Sequence, residues 1–86
     1  MTPLMYAAVY GHLEIAEALA DAGAELDLQT SDGSTALHLA AANNKPTVVR
    51  LLVSRGTNQT IKDDFGRTAR EDAVKFGNTE SADLLR

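Results

Sequence analysis

The sequence predicts an all-α fold: a solenoid of short antiparallel helix pairs separated by projecting turns. Three observations carry this prediction. Thr35-Ala36-Leu37-His38-Leu39-Ala40-Ala41 has altered copies beginning at Thr2 and Thr68, each 33 residues away, and Gly23/Gly56 and Gly33/Gly66 keep the same step. Within each copy a short helical pattern is followed by a second one and then by a turn, a supersecondary unit repeated along the chain. The 86 residues are 44% apolar but only 5% aromatic, with abundant Ala and Leu, which suits helices packed closely through small side chains.

In the first copy, Thr2 is placed to cap a helix with its hydroxyl, and Pro3 occupies the first helical position, where a missing N–H costs nothing. Leu4, Ala7 and Ala8 give that helix an apolar face, and Gly11 ends it. A second helix starts at His12 and carries Leu13, Ile15, Ala16, Ala18, Leu19 and Ala20 before Gly23 closes it. Neither helix is long enough to be stable alone, so each must pack. Leu26 and Leu28 then alternate with Glu25, Asp27 and Gln29 ahead of Thr30-Ser31-Asp32-Gly33, a hairpin-like turn signal.

The second copy, Thr35 to Arg67, repeats every step. Asn43-Asn44 stands where Gly11 ended the first helix, since Asn tolerates the left-handed conformation. Pro46 opens the next helix, Val48, Val49, Leu51, Leu52 and Val53 line it, and Gly56 closes it. Ile61 and Asp63-Asp64-Phe65-Gly66 form the next turn. This is expected to be the best-packed unit. In the third copy, Arg70 stands in the register of Leu4 and Leu37, Ser81 in that of Ile15 and Val48, and Glu71 in that of His38. Thr68 and Glu71 have the spacing of a capping box. Arg70 and Ser81 are expected to polarise an outer face, as the last unit of a solenoid requires. The first copy has no such replacements and lacks the turn that would precede it, so the chain is expected to be the C-terminal part of a longer array.

A Thr-Pro-Leu-His-x-Ala core at a 33-residue period, with Gly-Ala after the second helix, resembles the ankyrin repeat, and the resemblance covers essentially the whole chain. It implies an ankyrin-repeat solenoid of stacked antiparallel helix pairs joined by projecting β-turn fingers. The expected division is a single domain, 1–86, with repeats at 2–34 and 35–67 and a capping repeat at 68–86, about two and a half repeats in all. It also implies that the His38 ring bonds the Thr35 hydroxyl and the neighbouring finger backbone, and that His12 satisfies backbone at its helix junction.

The net charge of −4 and pI near 4.9, with no run of Lys or Arg, argue against nucleic acid or a membrane surface as partner. The absence of cysteine excludes disulfides and a thiol nucleophile. No apolar stretch approaches the roughly 18 residues of a membrane span, and no targeting segment is visible, so an intracellular protein, cytoplasmic or nuclear, is expected.

The sequence shows no catalytic constellation. Ser31, Ser34 and Ser54 fall in turns or at helix ends without an elbow motif, and Thr2, Thr35 and Thr68 read as caps. Asp63-Asp64 and Glu71-Asp72 read as solvated or helix-dipole carboxylates. Gly33 and Gly66 belong to isolated turns. His12 and His38 have no partner at ligand spacing, so neither a metal nor a cofactor is expected.

The expected activity is therefore non-catalytic binding of a protein or peptide by a monomer, with room for contact to upstream repeats. Carried over from the family, the finger positions of the concave face are Gln29, Ser31, Asp32 and Ser34, then Lys62, Asp64, Phe65 and Arg67. The first-helix positions are Val9 and Tyr10, Ala42 and Asn43, then Lys75 and Phe76. Tyr10, Phe65 and Phe76 are the expected aromatic anchors. The alternative is a structural role, as a cap of the array or a support for a neighbouring domain.

Overall fold

Thr2, Thr35 and Thr68 set the phase of the fold. A computed structural model describes all 86 residues, Met1–Arg86. In it each of these threonines is extended, and its hydroxyl accepts from the backbone N–H three residues on, Met5 at 3.2 Å, His38 at 3.3 Å and Glu71 at 3.3 Å. Each satisfies a donor that the first helical turn would otherwise leave open. The helices that follow are α1 (Pro3–Tyr10), α3 (Ala36–Ala42) and α5 (Ala69–Lys75), and their partners are α2 (Leu13–Asp21), α4 (Pro46–Ser54) and α6 (Thr79–Asp83). There are no strands.

The helix ends are where the punctuation placed them. Gly11 and Asn44 both adopt positive φ, 71° and 55°, so Asn44 is the residue that replaces the glycine. Two antiparallel helices of each unit pack together, and α3 packs against both α1 and α5. The stack measures 31 × 25 × 20 Å. Its core contains 17 buried apolar side chains, more than half of them alanine, which lets the helix backbones approach closely. Leu37, Val48, Val49 and Leu52 of the middle unit are all 1% exposed or less.

Polar ties join one unit to the next. Asn78 Nδ2 donates to the Ala41 and Ala42 carbonyls at 2.6 and 3.1 Å, satisfying acceptors at the end of α3. The Asp27 carboxylate accepts from the Thr57 hydroxyl at 2.6 Å and the Asn58 N–H at 3.0 Å. The turn after α2 runs over Thr30–Ser34 and the turn after α4 over Asp63–Arg67. Each is closed by backbone bonding, Thr30 N to Ser34 O at 2.8 Å and Asp63 N to Arg67 O at 2.9 Å. Asp64 N donates to Asp32 O at 2.9 Å, so the two fingers stand edge to edge.

Two expectations fail at the ends of the stack. Ser81 does not polarise an outer face: it is fully buried, and its Oγ has no hydrogen-bond partner. Its register, shared with Val48, points back toward the preceding unit. The residue of that register left open is Ile15, at 52% exposed. Leu4 is buried, so the first helix pair is bare only in part. Arg70 is exposed as expected. His12 precedes α2 as its N-cap and makes no side-chain cap bond. Its ring is exposed and lies 6.1 Å from that of Tyr10, so it does not satisfy backbone as the sequence suggested.

Candidate binding face and the polar cluster behind it

The three anchor rings are all outside the core. Tyr10 ends α1 at 64% exposed, Phe76 caps α5 at 55%, and Phe65 crowns the second finger at 71%. Phe65 does not fold onto the neighbouring finger; the Arg67 guanidinium stacks on it, 5.0 Å from the ring centroid, a cation–π contact at an exposed site. Tyr10 and Phe76 occupy equivalent registers, as does Asn43 between them, on the helix stack that aligns α1, α3 and α5.

The remaining positions divide by how free they are. Ser31, Lys62, Asp64 and Lys75 are exposed, and Val9 and Ala42 are half-buried at the ends of α1 and α3. Several others are already committed within the chain. Gln29 Nε2 donates to Gly33 O at 2.8 Å, Asn43 Nδ2 to Leu39 O at 2.8 Å, and Ser34 N to the Thr30 hydroxyl oxygen at 3.1 Å. Asp32 accepts from the Thr30 hydroxyl, which, with backbone N–H groups, holds this exposed carboxyl below the ordinary Asp range. Arg67 is half-buried, and its Nε donates to Asp72 Oδ1 at 2.6 Å.

Behind the second finger lies a cluster that the sequence did not reveal. Asp63 and Asp72, read there as solvated, are 8% and 5% exposed. Asp63 turns inward because its Oδ1 closes the finger, accepting from the Phe65 and Arg67 N–H groups at 3.0 Å each. Asp72 is held inward by Arg67, whose Nε donates to its Oδ1 from the base of that finger. Asp64 and Glu71, the other member of each pair, are exposed as expected. Glu71 Oε1 accepts from the Thr68 N–H at 3.0 Å, which keeps its carboxyl below the ordinary Glu range.

His38 completes the cluster and does what the resemblance implied. Its Nδ1 accepts from the Thr35 N–H at 3.2 Å and lies 2.8 Å from the Thr35 hydroxyl. That fixes the tautomer: the proton is on Nε2, which donates to the Arg67 carbonyl at 2.8 Å. One atom each of His38, Asp63 and Asp72 lie within 4.8 Å of one another, a spacing that would suit a metal. The donors do not: both ring nitrogens are bonded, and a guanidinium already sits on Asp72. The cluster is a hydrogen-bond network.

The spacing of the two carboxyls sets their protonation. Burial pushes Asp72 above the ordinary value of 3.8, the Asp63 carboxyl beside it pushes the same way, and Arg67 opposes both. Burial also acts to raise Asp63, but the Arg67 N–H, the Asp72 carboxyl and the Phe65 N–H outweigh it and leave Asp63 below 3.8. Of the two, Asp72 is the one whose protonated form the fold favours.

The same repeat is found in known proteins. The family profile described as "Ankyrin repeats (3 copies)" matches residues 4–86. Human "SH3 and multiple ankyrin repeat domains protein 2" is 35% identical over 77 residues, 90% of this chain and 4% of that protein. A "putative ankyrin repeat-containing protein" of Treponema pallidum is 36% identical over 82 residues, 95% of this chain and 28% of its own length. Human Rabankyrin-5 is 32% identical over 85 residues, 98% of this chain and 7% of that protein. The chain thus spans a small fraction of each relative. No helix is long and apolar enough to cross a membrane. The profile covers nearly every residue of these helix pairs and fingers, and the chain belongs to the ankyrin-repeat family.

Proposed function

We propose that this chain is a non-catalytic module that holds a protein or peptide partner against the face formed by its fingers and the ends of α1, α3 and α5. Ankyrin repeats are generally protein–protein interaction modules and are not themselves catalytic. The observation that carries the reading is the exposure of Tyr10, Phe65 and Phe76, rings that no core contact requires. Large aromatic side chains left in water are the side chains that most often anchor interfaces. Ser31, Lys62, Asp64 and Lys75 supply polar contacts around them, while Val9, Ala42 and Asn43 form the floor.

Affinity capture from host-cell extract tests this, comparing the parent with a folded variant in which Tyr10, Phe65 and Phe76 are all alanine. Proteins held by the parent and released by the variant support the reading. Identical capture by both chains, or none by either, removes it.

One observation favours a second reading, in which the chain supports further units at its N-terminal end. Pro3, Ile15 and Ala18 are exposed, whereas Ala36, Val48 and Leu51 in the same registers are 1%, 0% and 8% exposed. A shallow depression of about 400 Å³, lined by Gly11–Ile15, lies beside them. A chain carrying an extra copy of residues 35–67 ahead of Thr2 should melt several degrees higher than the parent. Ile15→Lys should abolish most of that gain while barely affecting the parent, and an extra copy that adds no stability would exclude the reading.

A further inference from the structure

We propose that Asp63, Asp72 and Arg67 form a proton-operated latch that fastens the second finger to the first turn of α5. The buried charges do not balance. Two carboxyls and one guanidinium meet beneath the surface, with Arg67 Nε 2.6 Å from Asp72 Oδ1 and one oxygen of each acid within 4.8 Å of the other. His38 faces them from α3, its Nδ1 bonded to Thr35 and its Nε2 2.8 Å from the Arg67 carbonyl. The nearest other charges, Lys62 and Glu71, are exposed at the rim. Arg67 therefore balances one carboxylate, and the other acid is accommodated by keeping its proton.

Asp63 is the carboxylate, since it accepts from two backbone N–H groups. Asp72, buried beside it with Arg67 on its Oδ1, is the acid that keeps its proton. Removal of the proton sets two carboxylates against each other with one guanidinium between them, and the finger loses its hold on α5. Further protonation, on Asp63, weakens the bonds that close the finger itself. The latch is tightest with one proton bound.

The Asp72 carboxyl is raised in the folded state, so its contribution is complete below the unfolded value of 3.8 and is lost as pH rises through its folded value. Asp63 is lowered, so its contribution is present above 3.8 and is lost as pH falls through its folded value. The carboxyls lie close under the surface, which keeps the effect modest.

Two measurements test the latch, and neither needs a partner. Carboxyl-carbon NMR of the parent should show one of the two acids titrating above 3.8 and the other below it. Thermal unfolding from about pH 4 to about pH 7 should show the parent falling by roughly 2–8 °C relative to Asp72→Asn. The amide introduced by Asp72→Asn donates to Asp63 and accepts from Arg67 at every pH in that range. Parallel melting curves, or two acids titrating together at the ordinary value, would overturn the proposal. If Asp72→Asn does not fold, the parent titration alone decides.

Discussion

Thr30 and Asp63 hold the same register in the two fingers, and each closes an almost identical turn with a different oxygen. In the first finger the Thr30 hydroxyl oxygen accepts from Ser34 N at 3.1 Å; in the second the Asp63 carboxylate accepts from both Phe65 N and Arg67 N at 3.0 Å. The difference extends beyond the turn. The second finger is also tied to α3 through His38 Nε2 and to α5 through Arg67 and Asp72, whereas Met5 stands in the His38 register of the first unit and reaches no finger. The turn itself needs only an acceptor at that register. A carboxylate there recruits neighbours that a hydroxyl does not, and with them comes dependence on pH.

The sharpest way to break this difference is His38→Ala, which strips the second finger of its buried tie. It should cost about 2–4 kcal/mol, combining a lost ring in the core with an Arg67 carbonyl deprived of a donor. Urea unfolding would measure it, and a loss under about 1 kcal/mol would show that the histidine does not anchor the finger. Gly33→Ala comes next. Both Gly33 and Gly66 have positive φ, 83° and 76°, but a Cβ on Gly33 would lie 2.7 Å from Asp64 Oδ1 and 2.9 Å from Asp64 N, while one on Gly66 meets open space. Gly66→Ala should therefore cost about 1–2 kcal/mol from backbone conformation alone, and Gly33→Ala measurably more. Equal costs would mean that the fingers are not packed edge to edge.

A smaller effect is expected at the C-terminal unit. Ser81→Ala removes a buried hydroxyl without a partner and should raise stability by up to about 1 kcal/mol; a loss of that size would mean that the hydroxyl has a partner after all. The smallest effect belongs to the finger tip. Phe65→Ala should change stability by no more than about 0.5 kcal/mol, because the ring is 71% exposed. A drop of several degrees in melting temperature would place that ring in the core and remove it from the candidate binding face.

The helix pairs, caps and fingers were legible because each is a local affair. A threonine hydroxyl reaches a backbone N–H three residues away whatever the rest of the chain does, and Gly11 and Asn44 take the left-handed conformation on their own account. The exposure of Tyr10 and Phe76 followed from the register they share. The Asp63–Asp72 pair was not legible, because sequence neighbours Asp64 and Glu71 are exposed and nothing local separates the two kinds of acid. Ser81 misled for a related reason: a polar residue in a terminal repeat reads as an outward one, yet its register turns it toward the unit already present.

By itself, then, the sequence determined the period, the helix boundaries and the order of the units, since these depend on interactions spanning a few residues. Tertiary structure alone decided which carboxyls are buried, which tautomer His38 adopts and which apolar residues remain open to water. Those outcomes depend on what the folded stack sets opposite a side chain: for the His38 ring it is the Arg67 carbonyl of the next finger, 29 residues on, and for the two acids it is the packing of that finger against α5.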